Sequence, residues 1–362
     1  RLRTVAMLQA TWSATGYIVT PVTSQSTCYA NANATFLFAA PARVPKIFDS
    51  RRLSTCTALA AEPEEDDATG SSKPPPKMTL SALYRYPIKA ARAEPLSIAT
   101  LGAEGVAGDR RFIVTDATGK ALTQRDYPLL ATLRVVEQGG RLMLSDGARS
   151  HNVSVQTTGK LVDATLFGSS LQLVDQGKET GTWLSGLLGG GGGAAAAGGS
   201  VFSMLAPLFG QPAYKLLRAP GSDKGDGSLR GGAGLSDLAP LLLICEESLS
   251  LLNSRRAANG QLPVPMDRFR PNLVVSGCPA AHAEDAWKTV KIGGVTLQVT
   301  RLCPRCTVPD VQQQTGRRDP AGPMRDLRDY RSRGPAGTMF GVYLGGGAGE
   351  VRVGDAVEVV AP

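Results

Sequence analysis

Histidine is nearly absent. With two in 362 residues, His151 and His282, and neither in a ligand-type spacing, a histidine-built metal centre is excluded by ligand count. Six cysteines, Cys28, Cys56, Cys245, Cys278, Cys303 and Cys306, are too sparse for a disulfide scaffold in so long a chain, so a reducing compartment is the simpler expectation. Aromatics make up only 6% and none interleaves with a basic run, which leaves no stacking platform and argues against nucleic-acid binding. No stretch reaches the ~18 consecutive apolar residues that cross a bilayer as a helix, so no transmembrane segment is expected. Acidic residues are scarce at the start: Asp49 is the only one in the first 61 positions. Such an acid-poor leader, rich in Ser, Thr and Ala, suits import into a mitochondrion or plastid, with a cytoplasmic protein as the alternative.

Glycine and proline, at 42 and 24 residues, favour short strands and turns over long helices. The expected fold is therefore α+β and β-rich. The formal net charge of +8 points to phosphate groups, an anionic cofactor or an acidic protein partner.

Four segments follow from composition. Residues 1–77 read as leader and linker, ending in the charged, Pro-rich "EPEEDDATGSSKPPPK". Residues 78–175 read as strand and turn, with one hairpin around Gly139-Gly140 and another around Thr118-Gly119. Residues 176–234 read as a connecting segment containing the side-chain-poor "LGGGGGAAAAGGS" (188–200), expected to be a flexible insertion. Residues 235–362 open with the apolar run "LLLIC", fit for a buried strand, and a helix of about ten residues with Leu249 and Leu252 inward, stopped by Asn259 and Gly260. A Gly293-Gly294 hairpin then leads into a strand carrying "RLCPRCTVPD", and "MFGVYLGGGAGEVRVGDAVEVV" reads as a closing β-ribbon turning at Gly354-Asp355. Glu284 and Asp285 start a helix-like segment whose N-terminus they complement.

The pair Cys303/Cys306 could be a zinc clip, a redox disulfide, two core thiols, or one metal thiolate with a bystander. A zinc clip lacks its third and fourth ligands. A redox motif belongs at a helix start, whereas this pair ends a strand and Pro309 blocks immediate helix growth. Inert core thiol is the default for Cys245 and Cys278. Around 303–306, Arg301 and Arg305 supply positive charge, and a guanidinium fork binds phosphate or carboxylate. That chemistry suits a soft-metal thiolate beside an anion.

From Leu83 to Val360 the chain resembles the MOSC-domain family, the molybdenum cofactor sulfurase C-terminal fold, and within it the mitochondrial amidoxime-reducing components. The blocks are "LYRYPIKAARAEPLSIATLGAEGVAGDRRFIV", "LTQRDYPLLATL", "LLLICEESLSLLNSR", "DRFRPNLVVSG", "AEDAW", "LCPRCTVPDVQQQTG", "FGVYL" and "VRVGDAV", in the family's order. The resemblance implies an N-terminal MOSC-type β-barrel domain at 78–175 and a MOSC domain, a β-barrel with short helices, at 235–362. It implies molybdenum-molybdopterin as cofactor, with Cys306 as catalytic metal ligand and Cys303 as a neighbour without a metal bond. Lys89, Arg110, Arg270, Arg305 and Tyr343 fall at cofactor-binding positions. The implied reaction is reduction of N-hydroxylated substrates, amidoximes and hydroxylamines, with electrons from cytochrome b5 and its NADH-dependent reductase, since no nicotinamide or flavin fingerprint is present. The alternative is a module that carries or transfers sulfurated molybdenum cofactor without reducing anything; the roughly 77 residues before the resemblance are fewer than a desulfurase needs. The chain departs from the family at Ala90, where serine is frequent, and at Leu238-Ala239, where Thr-Ser is frequent.

Overall fold

The computed structural model describes residues 77–189, 213–220, 235–236 and 238–362. The expected leader and linker up to residue 76, and the insertion from residue 190 onward, lie outside the described residues. Leu188 and Gly189 do not belong to that insertion: they close a helix, and Leu188 is buried.

Numbered along the chain, the described strands form four sheets within one compact unit. The largest has eight, ordered β18 (Val357–Ala361), β14 (Thr289–Ile292), β15 (Val295–Arg305), β16 (Thr338–Gly345), β12 (Leu241–Cys245), β13 (Leu273–Ser276), β1 (Thr79–Arg85) and β2 (Glu94–Leu96). All neighbours are antiparallel except β12 and β13. The first two strands of the chain thus edge a sheet otherwise built from its last third. A second sheet is ordered β5 (Phe112–Asp116), β11 (Tyr214–Arg218), β10 (Ser169–Asp175) and β9 (Leu161–Leu166); a third, β17 (Gly349–Arg352), β3 (Ile98–Gly102) and β4 (Gly105–Val106); a fourth, β6 (Arg134–Gln138), β7 (Arg141–Ser145) and β8 (Ser150–Ser154). Helices α1 (Lys178–Gly189), α2 (Glu246–Ala258) and α3 (Pro323–Arg331) pack against them. The molecule is β-rich α+β, as the glycine and proline content implies.

Local signals translate directly where a turn is short. Gln138 pairs with Arg141 across Gly139 (φ 58°) and Gly140 (φ 74°), two successive left-handed residues that give the twist a two-residue hairpin needs; Ile292 pairs with Val295 across Gly293-Gly294, where Gly293 alone is left-handed (φ 55°). The turn at Thr118-Gly119 forms too, with the Asp116 amide donating to the Lys120 carbonyl at 3.0 Å. Its second arm does not become a strand: Ala121 contributes an isolated bridge to Thr115, and β5 takes β11 as its ladder partner. The expected C-terminal ribbon likewise divides. β16 pairs with β12 and β15, β17 with β3, and β18 with β14.

β12 shows why "LLLIC" carries no alternation. Leu241, Leu243 and Cys245 enter a core with Leu80, Val275, Val290 and Val342 on one face. Leu242 and Ile244 enter another with Phe269, Cys303 and Phe340 on the other. A strand buried on both faces is apolar at every position. α2 follows at once, with Glu246 and Glu247 in its first turn and Arg255 and Arg256 in its last, each complementing the helix dipole. It runs thirteen residues, with Leu252 buried and Leu249 partly so, and stops at Asn259 and Gly260 (φ 69°).

Close packing across β12 and β16 depends on Gly341. Its φ is 77°, and a Cβ there would lie 2.6 Å from Ile244 Cγ1 and 2.7 Å from the Leu243 carbonyl oxygen. Gly341→Ala is expected to destabilise by about 2 kcal/mol or more, from left-handed strain together with overpacking. Urea unfolding of the full chain measures this, and a loss below about 0.5 kcal/mol would show that the strands separate without cost.

Candidate functional site

β15 is the element that delivers the cysteine pair. Its ladder with β16 shifts register between Val299 and Arg301 and again between Leu302 and Pro304; bulges of this kind bend a strand and re-aim its end, and Pro304, without an N–H, is tolerated at the second. Cys303 is buried against Phe269 and Phe340, whose ring centroids lie 4.4 Å apart. Cys306, one residue past the strand, is exposed. Both thiols line a cavity of about 370 Å³, but they differ in burial: Cys303 is packed into its apolar floor and Cys306 is exposed.

All six residues singled out from the sequence line that cavity: Lys89, Arg110, Arg270, Arg305, Cys306 and Tyr343. With Arg125, the lining holds five cationic side chains, and no carboxylate among its described residues. Elements from both ends of the chain supply them. Lys89 and Arg110 flank the start of β5, Arg270 precedes β13, Arg305 ends β15, and Tyr343 lies in β16.

Each cation is held by backbone or by a neighbouring ring. Lys89 Nζ donates to the Leu235 carbonyl at 2.9 Å and lies 5.1 Å from the centroid of Phe167. Arg110 pairs with Asp109 and donates to Asn272 Oδ1 at 3.3 Å; Asp109 is itself fixed by the Tyr86 amide at 2.7 Å. Arg270 donates to the Ala91 carbonyl at 2.6 Å. Arg110 and Arg270 both stack on Tyr86, at 4.8 and 4.3 Å. Burial raises the Tyr86 phenol, against the pull of the two arginines; it stays protonated and donates to the Pro271 carbonyl at 2.9 Å. Arg305 spans the cysteine pair, with Nη1 to Cys303 Sγ at 3.1 Å and Nη2 to the Phe269 carbonyl at 2.6 Å. Burial works against its charge, but Cys303, Tyr343 and Cys306 outweigh it and hold the guanidinium above its ordinary value. Its Nε is buried and has no hydrogen-bond partner within the protein, a donor that an anionic ligand would satisfy.

Backbone strain converges on the same place. Of the five non-glycine residues with positive φ among the described residues, four line the cavity: Ala90 (66°), Arg110 (47°), Phe167 (49°) and Arg270 (57°). Each such conformation costs on the order of 1–3 kcal/mol and persists where surrounding structure enforces it. Nothing in the residue types signals this.

Among the lining residues, Phe167 and Gln124 were not anticipated. Phe167 sits between Lys89 and Arg125, which lies 5.5 Å from its ring; a Phe at the β9–β10 turn has no motif that marks it. Gln124 and Gln313 exchange hydrogen bonds at 3.0 and 2.9 Å, joining the two halves of the chain behind the cavity. Asn272 is buried and braces the mouth of β13, accepting from the Leu242 amide at 3.3 Å and donating to the Tyr84 carbonyl at 3.2 Å. Ala90, Leu238 and Ala239 also face the cavity, where Thr123, Ser236 and Tyr343 are its hydroxyl-bearing residues. Glu284 and Asp285 stand in the first turn of their short helix (Ala283–Ala286), as expected, and each also bonds beyond it. Glu284 is fully buried and accepts the Ser248 hydroxyl at 2.8 and 2.9 Å at the start of α2, and Asp285 pairs with Arg331 at 2.6 Å.

Two family models match in succession: the MOSC N-terminal beta barrel domain over residues 77–190 and the MOSC domain over residues 231–358. Among curated proteins, mitochondrial amidoxime reducing component 2 of Homo sapiens is 28% identical over 294 residues, covering 77% of this chain and 82% of that protein. Mitochondrial amidoxime-reducing component 1 of Mus musculus is 28% identical, with 77% and 81% covered. The molybdenum cofactor sulfurase of Oryza sativa subsp. japonica is 27% identical over 277 residues, which is 73% of this chain and 32% of that protein.

Proposed function

Because the chain belongs to the MOSC-domain family, its N-terminal beta barrel domain followed by its MOSC domain, we propose that it is a molybdenum-cofactor-dependent oxidoreductase that reduces N-hydroxylated compounds such as amidoximes and hydroxylamines. One observation carries the reading: five cations without a described carboxylate surround a cavity onto which a single exposed thiol, Cys306, opens. The buried, unpartnered Nε of Arg305 fits an anionic group at the same spot.

When bound, the cofactor supplies a two-electron redox centre held by a pterin with a phosphate tail. The chain's own residues do the rest. Cys306 would be the protein's ligand to the metal. Lys89, Arg110, Arg270 and Arg305, each fixed by its own anchoring bonds, would hold the anionic phosphate and pterin, and Tyr343 would contribute to the same pocket. Leu242 and Phe269 are the buried apolar residues of the lining that pack together and keep water out there. With hydroxyls lacking at positions 90, 238 and 239, Thr123, Ser236 and local peptide groups would supply hydrogen bonds to the cofactor in their place.

The electron donor is cytochrome b5, reduced in turn by its NADH-dependent flavoprotein, and the net charge of +8 suits an acidic docking face. Turnover with that donor is expected to fall several-fold as ionic strength rises from about 0.01 to 0.15 M, because the screening length shrinks from about 30 to about 8 Å. A salt-independent rate would rule out electrostatic docking. The acid-poor first segment is proposed to direct import into an organelle; diffuse cytosolic fluorescence of the tagged full chain would refute that.

The likeness to a cofactor sulfurase favours one competing reading, a module that binds and passes on sulfurated cofactor. Molybdenum and pterin content of the purified chain, followed by benzamidoxime reduction with the reconstituted cytochrome chain, separates the two. Stoichiometric cofactor with NADH-dependent amidine formation supports the reductase; stoichiometric cofactor without it supports the carrier.

A further inference from the structure

A second cluster of metal-binding side chains lies on the other face of β12, in the core that excludes Cys303. Cys245 ends β12, Glu247 stands in the first turn of α2, and Cys278 follows β13, the strand parallel to β12. Thirty-odd residues of sequence separate the two cysteines, yet both sulfurs and one Glu247 carboxylate oxygen lie within 4.8 Å of one another. Cys245 is 0% and Cys278 5% exposed.

The plain explanation is two core thiols beside a helix-start acid. It accounts for part of the geometry: Glu247 Oε1 accepts the Gly277 amide at 2.8 Å. It leaves Oε2 of the same carboxylate buried with no hydrogen-bond partner, a cost of roughly 1–3 kcal/mol or more for a charged acceptor. A second carboxylate crowds the same spot, Glu284 taking the Cys245 amide at 3.3 Å. Two thiols and the unpartnered Glu247 oxygen meet around one point, with the Glu284 carboxylate beside Cys245, a set that a bound cation would neutralise.

The donor set selects the ion. Thiolate sulfur is a poor ligand for magnesium or calcium and a good one for zinc, which also accepts carboxylate oxygen. Glu247 also lines a cleft between α2 and strands β1 and β13, with Glu246, Ser250 and Tyr84 on its walls. From these contacts we propose that Cys245, Cys278 and Glu247 bind one zinc ion, with a fourth ligand from solvent in the cleft, tying the start of α2 to the ends of β12 and β13. This site is independent of the molybdenum reading, since it shares no residue with the arginine-lined cavity.

The test uses the full chain with Cys28, Cys56, Cys303 and Cys306 replaced by alanine, so that the remaining thiols are the two in question. Cobalt(II) alone is the probe. The expected result is one ion per chain with an intense thiolate-to-cobalt absorption band, displaced by zinc. Cys278→Ser should lose that band. Glu247→Gln, which keeps side-chain size, should weaken binding at least about tenfold, and a chelator should lower the melting temperature of the parent but not of this variant. The proposal is overturned by absence of the band, by equal binding in parent and Glu247→Gln, or by a Cys245–Cys278 disulfide found in place of metal.

Discussion

Replacing Cys306 with alanine is expected to abolish NADH-driven benzamidoxime reduction, while Cys303→Ala retains activity within about tenfold. The asymmetry follows from where β15 ends. Cys306 is exposed at the cavity and available as a ligand, whereas Cys303 lies in the apolar core with Phe269 and Phe340. Cys303 is not idle, since its sulfur accepts Arg305 Nη1 at 3.1 Å. Loss of that contact leaves Arg305 its bond to the Phe269 carbonyl, so the effect belongs at the low end of the roughly 10–100-fold typical of residues that orient a ligand. Molybdenum content measured alongside kcat makes the comparison strict. Equal losses in both variants would refute the assignment.

The largest stability effect is expected at Asp326. Arg256 of α2 and Asp326 of α3 form an ion pair at 2.5 Å, each side chain 2% exposed. The guanidinium also donates to the carbonyls of Leu262 at 2.9 Å and Ala321 at 2.8 Å. Asp326→Ala leaves that charge buried without its counter-ion, which costs about 3–5 kcal/mol. A double replacement, Arg256→Met with Asp326→Leu, should restore much of the loss, because two apolar groups need no partner. Equilibrium unfolding in urea measures both; a single variant within about 1 kcal/mol of the parent would show that water reaches the pair. The consequence extends to the cavity. Met324, in the first turn of α3, donates its amide to Asp310 Oδ1 at 3.0 Å, and Asp310 lies in the turn that follows Cys306. Loosening α3 therefore frees the chain just beyond the proposed metal ligand, and Asp326→Ala is expected to lower cofactor retention as well as stability.

Legibility in the sequence tracked the range of the interactions concerned. The hairpins at Gly139-Gly140 and Gly293-Gly294 follow from neighbouring residues, and so do β12 and α2. Strand choice did not follow in this way. The segment after Gly119 looks like half of a hairpin, but β5 gains a longer partner in β11, about a hundred residues on. α1 escaped notice because glycines interrupt its pattern, although Leu184 and Leu188 anchor it in the core. α3 was equally silent, being short and highly charged, with only Pro323 after Gly322 as a start signal. Phe167 carried no local mark at all.

The residues that would bind an anionic cofactor were legible because charge and thiol chemistry reside in side chains, which the sequence states outright. It determined a β-rich chain, an arginine-flanked cysteine pair at a strand end, and the identity of six residues that line one cavity. Only the tertiary structure decided that Cys306 is exposed at that cavity while Cys303 is buried in the core beneath it, that four residues take left-handed backbone around it, and that Cys245 meets Cys278. Those outcomes depend on bulges, strand order and contacts between distant segments. They are properties of the packed whole, whose energy no local stretch of chain contains.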